Sequence, residues 1–180
     1  MTSSADQMLI FDATSLSHFS RAERLDVLRD LLAGRPCLTT RVVHEELRVG
    51  IGTFPTLRQA LDAEWLGMAE LSTLQELECF ARWVRRVGSS GRDLGEASVF
   101  CAAELLGGIA ITDDRDATAV GRAYGLEVHG TIWLLGTACR EGKLTQVGAE
   151  NLVDALRATG MRLPCSGSTF LSYARRHRLC

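Results

Sequence analysis

The sequence predicts an α/β fold, a three-layer α/β/α sandwich in which helices cover both faces of a central parallel sheet of four to five strands. Short apolar runs alternate with segments of helical spacing, a pattern typical of crossover units that join parallel strands. The chain has 180 residues, 46% of them hydrophobic, which suffices for one well-filled core. Acidic residues directly follow two of the apolar runs, where open parallel sheets place ligand-binding side chains.

The first half of the chain contains three candidate strands. "MLIF" (8–11) is a short apolar run, and leucines at helical spacing follow it as far as Gly34, which predicts one strand and then one helix. "CLTT" (37–40) is a second strand that leads into the helix "RVVHEELRVG". A third helix is predicted over roughly 56–66, and "LGMAEL" (66–71) is predicted to be an edge strand.

The second half repeats the alternation and ends in helices. "TLQELECFARWVRRV" predicts a long helix, which the loop "GSSGRD" (88–93) joins to the helix "LGEASVFCAAELLG". The strands "GIAIT" and "LEVHG" each precede a further helix. From Lys143 onward, two more helices are predicted, around 148–158 and 168–177. We therefore expect one domain over residues 1–142 and a helical C-terminal extension over 143–180, packed on the same domain.

Carboxylates are predicted to meet at one edge of the sheet. Asp12 follows the first strand, and Asp113 and Asp114 follow the strand "GIAIT". At 100° per residue, Glu46 lies on the apolar side of its helix, and Glu96 points among the apolar neighbours of another helix. Crowded or buried carboxylates are unfavourable unless a cation lies among them. Four oxygen ligands favour Mg²⁺ or Mn²⁺ over zinc.

Ordinary structural roles are alternatives for these acidic residues when each is taken alone, and Glu46 would be half-exposed if the helical phase were shifted by one residue. Asp93 and Glu96 stand in a D-x-x-E arrangement that caps helices, and Asp113 or Thr112, with Asp116, is suited to cap the next helix. An aspartate directly after a strand is also an ordinary turn residue. The case for a site rests on the coincidence of four acidic positions at strand ends or on inward helix faces.

Composition argues against several classes of function. The net charge of −2 disfavours a protein that coats nucleic acid through bulk charge. No apolar window approaches the length of a membrane span, and "MTSSADQ" lacks the pattern of a secretory signal. We therefore expect a cytoplasmic protein with no membrane partner. The six cysteines are scattered without a C-x-x-C pair, which favours reduced thiols in the core.

Three other folds with ligand sites at strand ends fit poorly. A phosphatase of the haloacid dehalogenase type needs a second aspartate where Thr14 stands. A P-loop needs a lysine that "GSSGRDLGE" lacks, and a dinucleotide-binding domain needs glycines after the first strand, where "DATSLSHF" has none.

Four segments together resemble the motifs of the PIN domain family. "LIFDATSLSHF", "VVHEEL", "DLGEASVFCAAE" and "AITDDRDA", the last continued by "YGLEVHGTIWLL", occur in the family's order. They are most similar to the PilT N-terminus and VapC-like ribonuclease branch. The resemblance covers about residues 8–140, is strongest over 93–135 and is loose over 52–92. It implies a PIN-like, Rossmannoid nuclease domain.

The resemblance implies a metal-dependent endoribonuclease that binds one or two Mg²⁺ or Mn²⁺ ions. The implied catalytic and metal-binding quartet is Asp12, Glu46, Glu96 and Asp114. Supporting positions are implied for Thr14, Thr112, Asp93, Asp113 and Asp116. This sequence departs from the family's pattern at Glu96, where many relatives have aspartate, and the longer side chain leaves open whether one or two ions bind.

Substrate and partners are expectations of the same kind. Arg92 and Arg115 adjoin site residues, so we expect them to contact RNA phosphates. The implied partners are an RNA substrate, an antitoxin protein if the chain is the toxin of a toxin–antitoxin pair, and a second copy in a homodimer. The alternative is a PIN-like module that binds RNA or protein with weak or no cleavage.

Overall fold

The computed structural model of the protein describes residues 7–88 and 93–179. Five strands form one sheet in the order β3-β2-β1-β4-β5, and every neighbouring pair is parallel. The strands are β1 (Leu9–Phe11), β2 (Cys37–Thr40), β3 (Leu66–Ala69), β4 (Ile109–Ile111) and β5 (Val128–His129). Helices flank the sheet, so the predicted fold class is confirmed, and the predicted edge strand is β3.

Ten helices connect and flank these strands within the described ranges. They are α1 (Ala13–Arg21), α2 (Leu25–Leu31), α3 (Arg41–Gly50), α4 (Arg58–Leu61), α5 (Leu74–Val87), α6 (Asp93–Leu106), α7 (Arg115–Ala123), α8 (Thr131–Arg140), α9 (Gln146–Ala158) and α10 (Gly167–Arg176). A single 3₁₀ turn, Pro55–Leu57, precedes α4.

The two central strands are buried throughout. Every side chain of β1 and β4 is inaccessible to solvent, as expected for parallel strands covered on both faces. Large aromatic side chains fill the layers beside the sheet: Phe11, Phe19, Trp83, Phe100 and Phe170 are fully buried. The described cysteines are free thiols, four of them buried, as the sequence predicts.

The strand order creates one crevice in the sheet. From β1 the chain proceeds outward to β2 and β3, then returns to the other side of β1 for β4 and β5. The connections therefore leave β1 and β4 in opposite directions, and the crevice lies outside the carboxyl ends of these two strands. Asp12 follows β1, and Thr112, Asp113 and Asp114 follow β4.

Two predicted helices are shorter in the structure. The helix expected up to Gly34 is divided into α1 and α2 by Glu23, whose φ is 54°. An unbroken helix of about 19 residues would be about 28 Å long, whereas β1 spans only about 10 Å, so the chain must turn back to remain on the sheet. The helix expected over 56–66 ends at Leu61, because Leu66 already pairs in β3.

The C-terminal helices pack against the rest of the molecule. Both predicted helices are present as α9 and α10. Thr159, just after α9, accepts hydrogen bonds from two residues of α1: His18 contacts its Oγ1 at 2.6 Å, and Arg21 donates to its carbonyl at 2.6 Å. Lys143 donates to the carbonyls of Leu31 and Ala33. The boundary at residue 142 stays a prediction. In the described part of the chain, no helix has both the length and the apolar character needed to cross a membrane.

Candidate active site

An acidic cavity of about 790 Å³ opens at the carboxyl ends of β1 and β4. It is lined by residues from five helices, α1, α3, α5, α6 and α7, and from the strand ends. The polar lining comprises Asp12, Thr14, Glu46, Asp93, Glu96, Asp114 and Asp116. The structure therefore brings together all four carboxylates of the predicted quartet.

Asp12 is buried at the base of this cavity, with 1% of its surface exposed. It is the N-cap of α1, because its Oδ1 accepts from Ser15 N at 3.1 Å. Its Oδ2 accepts from the Thr112 hydroxyl at 2.7 Å. Burial raises the pKa of Asp12 to about 7, and the charges of Asp113 and Glu96 add to the effect against these hydrogen bonds. The same aspartate thus serves as the helix cap and as a cavity residue.

Glu46 and Glu96 place unpaired oxygens in buried positions. Glu46 Oε1 and Glu96 Oε2 have no hydrogen-bond partner among the described residues. Burial raises the pKa of each glutamate to about 7, and the charge of Asp12 then raises that of Glu46 further, while the charge of Glu46 raises that of Glu96. The helical phase agrees with the prediction, since Glu46 is half-buried and Glu45 is exposed.

Gly95 allows the first turn of α6 to approach the Glu46 carboxylate. A Cβ at this position would lie 2.7 Å from Glu46 Oε2 and 2.8 Å from Oε1. The backbone of Gly95 also hydrogen-bonds the carboxylate, which partly offsets the rise in pKa. A helix N-terminus has unpaired N–H groups and favours negative charge, so this glutamate stabilises the start of α6. In the sequence, this close approach of α6 to Glu46 is indicated by the glycine of "GEA".

Asp114 lies at the exposed side of the cavity. It is the N-cap of α7, because its side chain accepts from Ala117 N at 2.8 Å. Its own N–H donates to the Thr112 hydroxyl at 3.2 Å, and that hydroxyl donates to Asp12. Thr112 therefore links the aspartates that follow β1 and β4.

Asp113 has a different structural role from the one the sequence suggested. It does not cap α7; instead its Oδ1 accepts from Thr131 N at 2.9 Å, at the start of α8. Its Oδ2 accepts from the Thr131 hydroxyl at 2.7 Å and from the Ser15 hydroxyl at 3.2 Å. The N-cap of α8, Gly130, has no capping side chain, so Asp113, which follows β4, accepts from an N–H of the first turn of α8 instead. Burial raises the pKa of Asp113 as well.

Of the remaining predicted residues, three lie in the cavity lining. Thr14, Asp93 and Asp116 line the cavity. Arg115 is exposed in the first turn of α7 and is not part of the lining. Arg92 lies outside the described residues. Sequence reasoning missed Ser15 and Thr131 as partners of Asp113, because the residues meet only through folding.

The chemistry of the donors fits a hard divalent cation. The candidate ligand atoms of the acidic side chains are all oxygens, and two of them, in Glu46 and Glu96, are buried without a partner. Three of the carboxyl groups, in Asp12, Glu46 and Glu96, are costly to ionise without a nearby positive charge. Within the described ranges, however, no three His, Cys, Asp or Glu side chains are arranged to hold a metal ion together.

Comparison with known families agrees with this architecture. The model of the DUF3368 family, described as a PIN domain, matches residues 8–169. The match includes all four carboxylates and extends through α9 into α10. A search of curated proteins gives no match.

Proposed function

Because the chain belongs to the PIN domain family, whose members are generally nucleases, we propose that it is a divalent-metal-dependent endoribonuclease that hydrolyses RNA phosphodiester bonds. One observation carries the proposal: Asp12, Glu46, Glu96 and Asp114 line a single cavity outside the carboxyl ends of β1 and β4. A cluster of carboxylates repels phosphates unless cations are bound among the carboxylates. The cluster is therefore suited to phosphodiester hydrolysis only as a set of metal ligands.

The four carboxylates would hold one or two Mg²⁺ or Mn²⁺ ions. When bound, such ions lower the pKa of a water molecule and neutralise charge on the phosphate. The protein's part is to fix the ligands. Asp12 is held by Ser15 N and by Thr112, and Asp114 is held by Ala117 N. Carboxylates held in this way lose little conformational freedom when a cation binds.

We propose that Arg115, with Arg92, contacts the RNA backbone beside the cavity. Arg115 is exposed and directly follows Asp114 at the start of α7. Its guanidinium can form a paired set of hydrogen bonds with a phosphate, and the N-terminus of α7 adds favourable potential for an anion.

The test is cleavage of labelled single-stranded and structured RNAs by purified protein in Mg²⁺, Mn²⁺ or EDTA. The expected result is cleavage that EDTA abolishes and that the Asp12→Asn, Asp114→Asn double variant lacks. Asp62→Asn is the matched control, because Asp62 is an exposed aspartate outside the cavity lining. Cleavage that persists in the double variant, or in EDTA, contradicts the proposal.

A second candidate is a PIN-like module that binds RNA or protein without cleaving. It is favoured by the absence, within the described residues, of three acidic or other ligand side chains arranged around a common point. RNA binding without cleavage in Mg²⁺ and in Mn²⁺, equal in wild type and in the double variant, would support this candidate instead.

The finer proposal is that the nuclease is the toxin of a toxin–antitoxin pair. It is supported by an apolar groove of about 730 Å³ that shares Glu46 with the acidic cavity. Val49 and Leu77, both in the groove lining, are 82% and 47% exposed. We expect expression of wild type in a bacterial host without its partner to arrest growth, and the Asp12→Asn variant not to do so. Equal growth with both contradicts the toxin assignment and leaves the nuclease proposal to the cleavage assay.

A further inference from the structure

Two buried hydroxyls connect the helices that carry the two glutamates. Thr40 is the N-cap of α3 and Ser98 lies in α6, with 1% and 0% of their surfaces exposed. The two Oγ atoms are 2.6 Å apart. The Ser98 hydroxyl also donates to Gly95 O at 2.7 Å, and Thr40 Oγ1 accepts from Val43 N at 3.2 Å. The pair thus links the first turn of α3 to the first turn of α6.

The number of hydrogens fixes the direction of this chain. Each hydroxyl has one hydrogen, and Ser98 gives its hydrogen to Gly95 O, so Thr40 donates to Ser98 Oγ. The sequence of donors runs from Val43 N through Thr40 and Ser98 to Gly95 O. Hydrogen bonds in such a buried series polarise one another, so the loss of one hydroxyl weakens the whole connection.

A second contact joins the same two helices at the cavity. Glu46 lies one turn beyond Val43 on α3, and its carboxylate lies against Gly95, where a Cβ would be only 2.7 Å from Oε2. Glu96 follows Gly95 directly. The helices α3 and α6 are therefore attached both through the hydroxyl pair and through the Glu46–Gly95 contact, and two points of attachment fix a distance that one leaves free.

We propose that Thr40 and Ser98 are positioning residues that set the relative placement of Glu46 and Glu96. The inference rests on the proposed function, since cation binding by these glutamates is its readout. Neither hydroxyl lines the acidic cavity, so both act through the helices and not by contact with substrate. Residues that orient metal ligands typically change metal affinity or activity by about 10–100-fold when they are removed.

The experiment compares Mn²⁺ affinity, measured by calorimetric titration, with the kinetics of RNA cleavage in four variants. Thr40→Val and Ser98→Ala remove the two hydroxyls, and Thr40→Ser retains one. Thr39→Val is the matched control: Thr39 is adjacent in β2, is 2% exposed and donates to Phe11 O at 3.1 Å, in a strand instead of a glutamate-bearing helix.

We expect Thr40→Val and Ser98→Ala to weaken Mn²⁺ binding by about 10-fold or more and to lower kcat with KM for RNA unchanged. Thr40→Ser should restore both quantities. Thr39→Val should also lower the melting temperature, because it loses one buried hydrogen bond, although by less than Thr40→Val, which loses two. Thr39→Val should retain wild-type Mn²⁺ affinity.

The outcomes separate this inference from the proposed function. Equal Mn²⁺ affinity in Thr40→Val and Thr39→Val, with an active wild type, overturns the positioning role and leaves the nuclease intact. A wild type that neither binds Mn²⁺ nor cleaves RNA overturns both. If Thr40→Val does not fold, Ser98→Ala tests the loss of a hydroxyl and Thr40→Ser tests its retention. Equal Mn²⁺ affinity in these two variants overturns the inference.

Discussion

Asp113 and Asp114 are adjacent in the chain, and their carboxylates have opposite surroundings. Asp113 accepts three hydrogen bonds, two from Thr131 and one from Ser15, and so joins β4 to α8 and α1. Asp114 is exposed, accepts one bond from Ala117 N and faces the acidic cavity. The first carboxylate is engaged in holding the fold together, whereas the second retains oxygen lone pairs for a ligand.

Two glycines, Gly130 and Gly95, each lie against a carboxylate, and the two carboxylates differ in the same way as Asp113 and Asp114. A Cβ at Gly130 would lie 2.6 Å from Asp113 Oδ1, and one at Gly95 would lie 2.7 Å from Glu46 Oε2. Asp113 is short and held on both oxygens, whereas Glu46 has a longer side chain and one unpaired buried oxygen. A buried carboxylate with all its bonds contributes stability; one without them costs stability and is available to a cation.

The largest expected effect is that of Asp114→Asn on cleavage. We expect kcat/KM to fall by about 1,000-fold, equivalent to about 4 kcal/mol of transition-state stabilisation. The reason is that the uncharged amide of asparagine cannot replace the Asp114 carboxylate as an anionic metal ligand. The melting temperature should remain near that of wild type, since asparagine caps a helix as well as aspartate does. RNA cleavage and thermal unfolding of the same preparation measure the two quantities.

Asp113→Asn is the matched substitution for this comparison. It places an amide NH₂ opposite hydroxyls that donate to the aspartate, so it should lower the free energy of unfolding by about 1–2 kcal/mol. The folded protein should still cleave RNA in Mg²⁺. If Asp113→Asn removes cleavage without lowering the melting temperature, the division between the two aspartates is wrong.

Sequence reasoning reached the acidic cavity because its signals are local. Helical phase alone distinguishes Glu46 from Glu45, and the position of Asp12 and Asp114 directly after parallel strands places both at one edge of the sheet. The parallel sheet was predictable for the same reason, since apolar runs mark each buried strand. A sequence pattern that depends only on neighbours within one helical turn or one strand predicts the local structure without knowledge of the tertiary contacts.

The partners of Asp113 were not predictable in the same way. Ser15 and Thr131 lie 98 and 18 residues from it, and no spacing rule relates them. The break at Glu23 also depends on how long the sheet is, which the local leucine pattern does not contain. The Thr40–Ser98 contact joins residues 58 positions apart, although each hydroxyl alone has the ordinary appearance of a capping or intrahelical group.

The next largest effect is expected for Gly130→Ala. The new Cβ must displace either Asp113 or the backbone of Thr112, whose carbonyl oxygen would be 3.3 Å away, so the free energy of unfolding should fall by about 2–3 kcal/mol. Denaturant unfolding measures it. Gly52→Ala is the control, since its Cβ meets nothing closer than 3.8 Å. Equal stability of the two variants would show that the Asp113 contact can relax, and would weaken the comparison.

A smaller effect, on activity instead of stability, is expected for Gly95→Ala. Here the atoms in the way are the end of a flexible side chain, so Glu46 shifts within the cavity while α6 gains a better helix former. We expect Mn²⁺ affinity and cleavage to fall by about 10-fold, in the range typical for misplaced metal ligands, with little change in melting temperature. A large loss of stability with unchanged Mn²⁺ affinity would place Gly95 on the structural side of the comparison, beside Gly130.

The smallest expected effect concerns His18, a half-buried polar group that is paired but neutral. Thr159 Oγ1 donates to Leu156 O, so His18 Nδ1 must carry the hydrogen in their 2.6 Å contact. Burial, followed by the charge of Arg21, lowers the pKa of His18 to about 4. The unfolded chain therefore takes up the proton first, and stability is lost as pH falls from about 6.5 toward 4.

Partial exposure reduces this contribution, and we expect a loss of about 1 kcal/mol between pH 7 and pH 5. Denaturant unfolding of wild type and of His18→Gln at both pH values measures it, because glutamine can make the same hydrogen bond but does not titrate. The difference between the two proteins should grow in favour of the variant at pH 5. A constant difference would mean that the contact between α1 and Thr159 opens to solvent. Hydrogen bonding alone, without complete burial, would then be sufficient to stabilise a polar group in this fold.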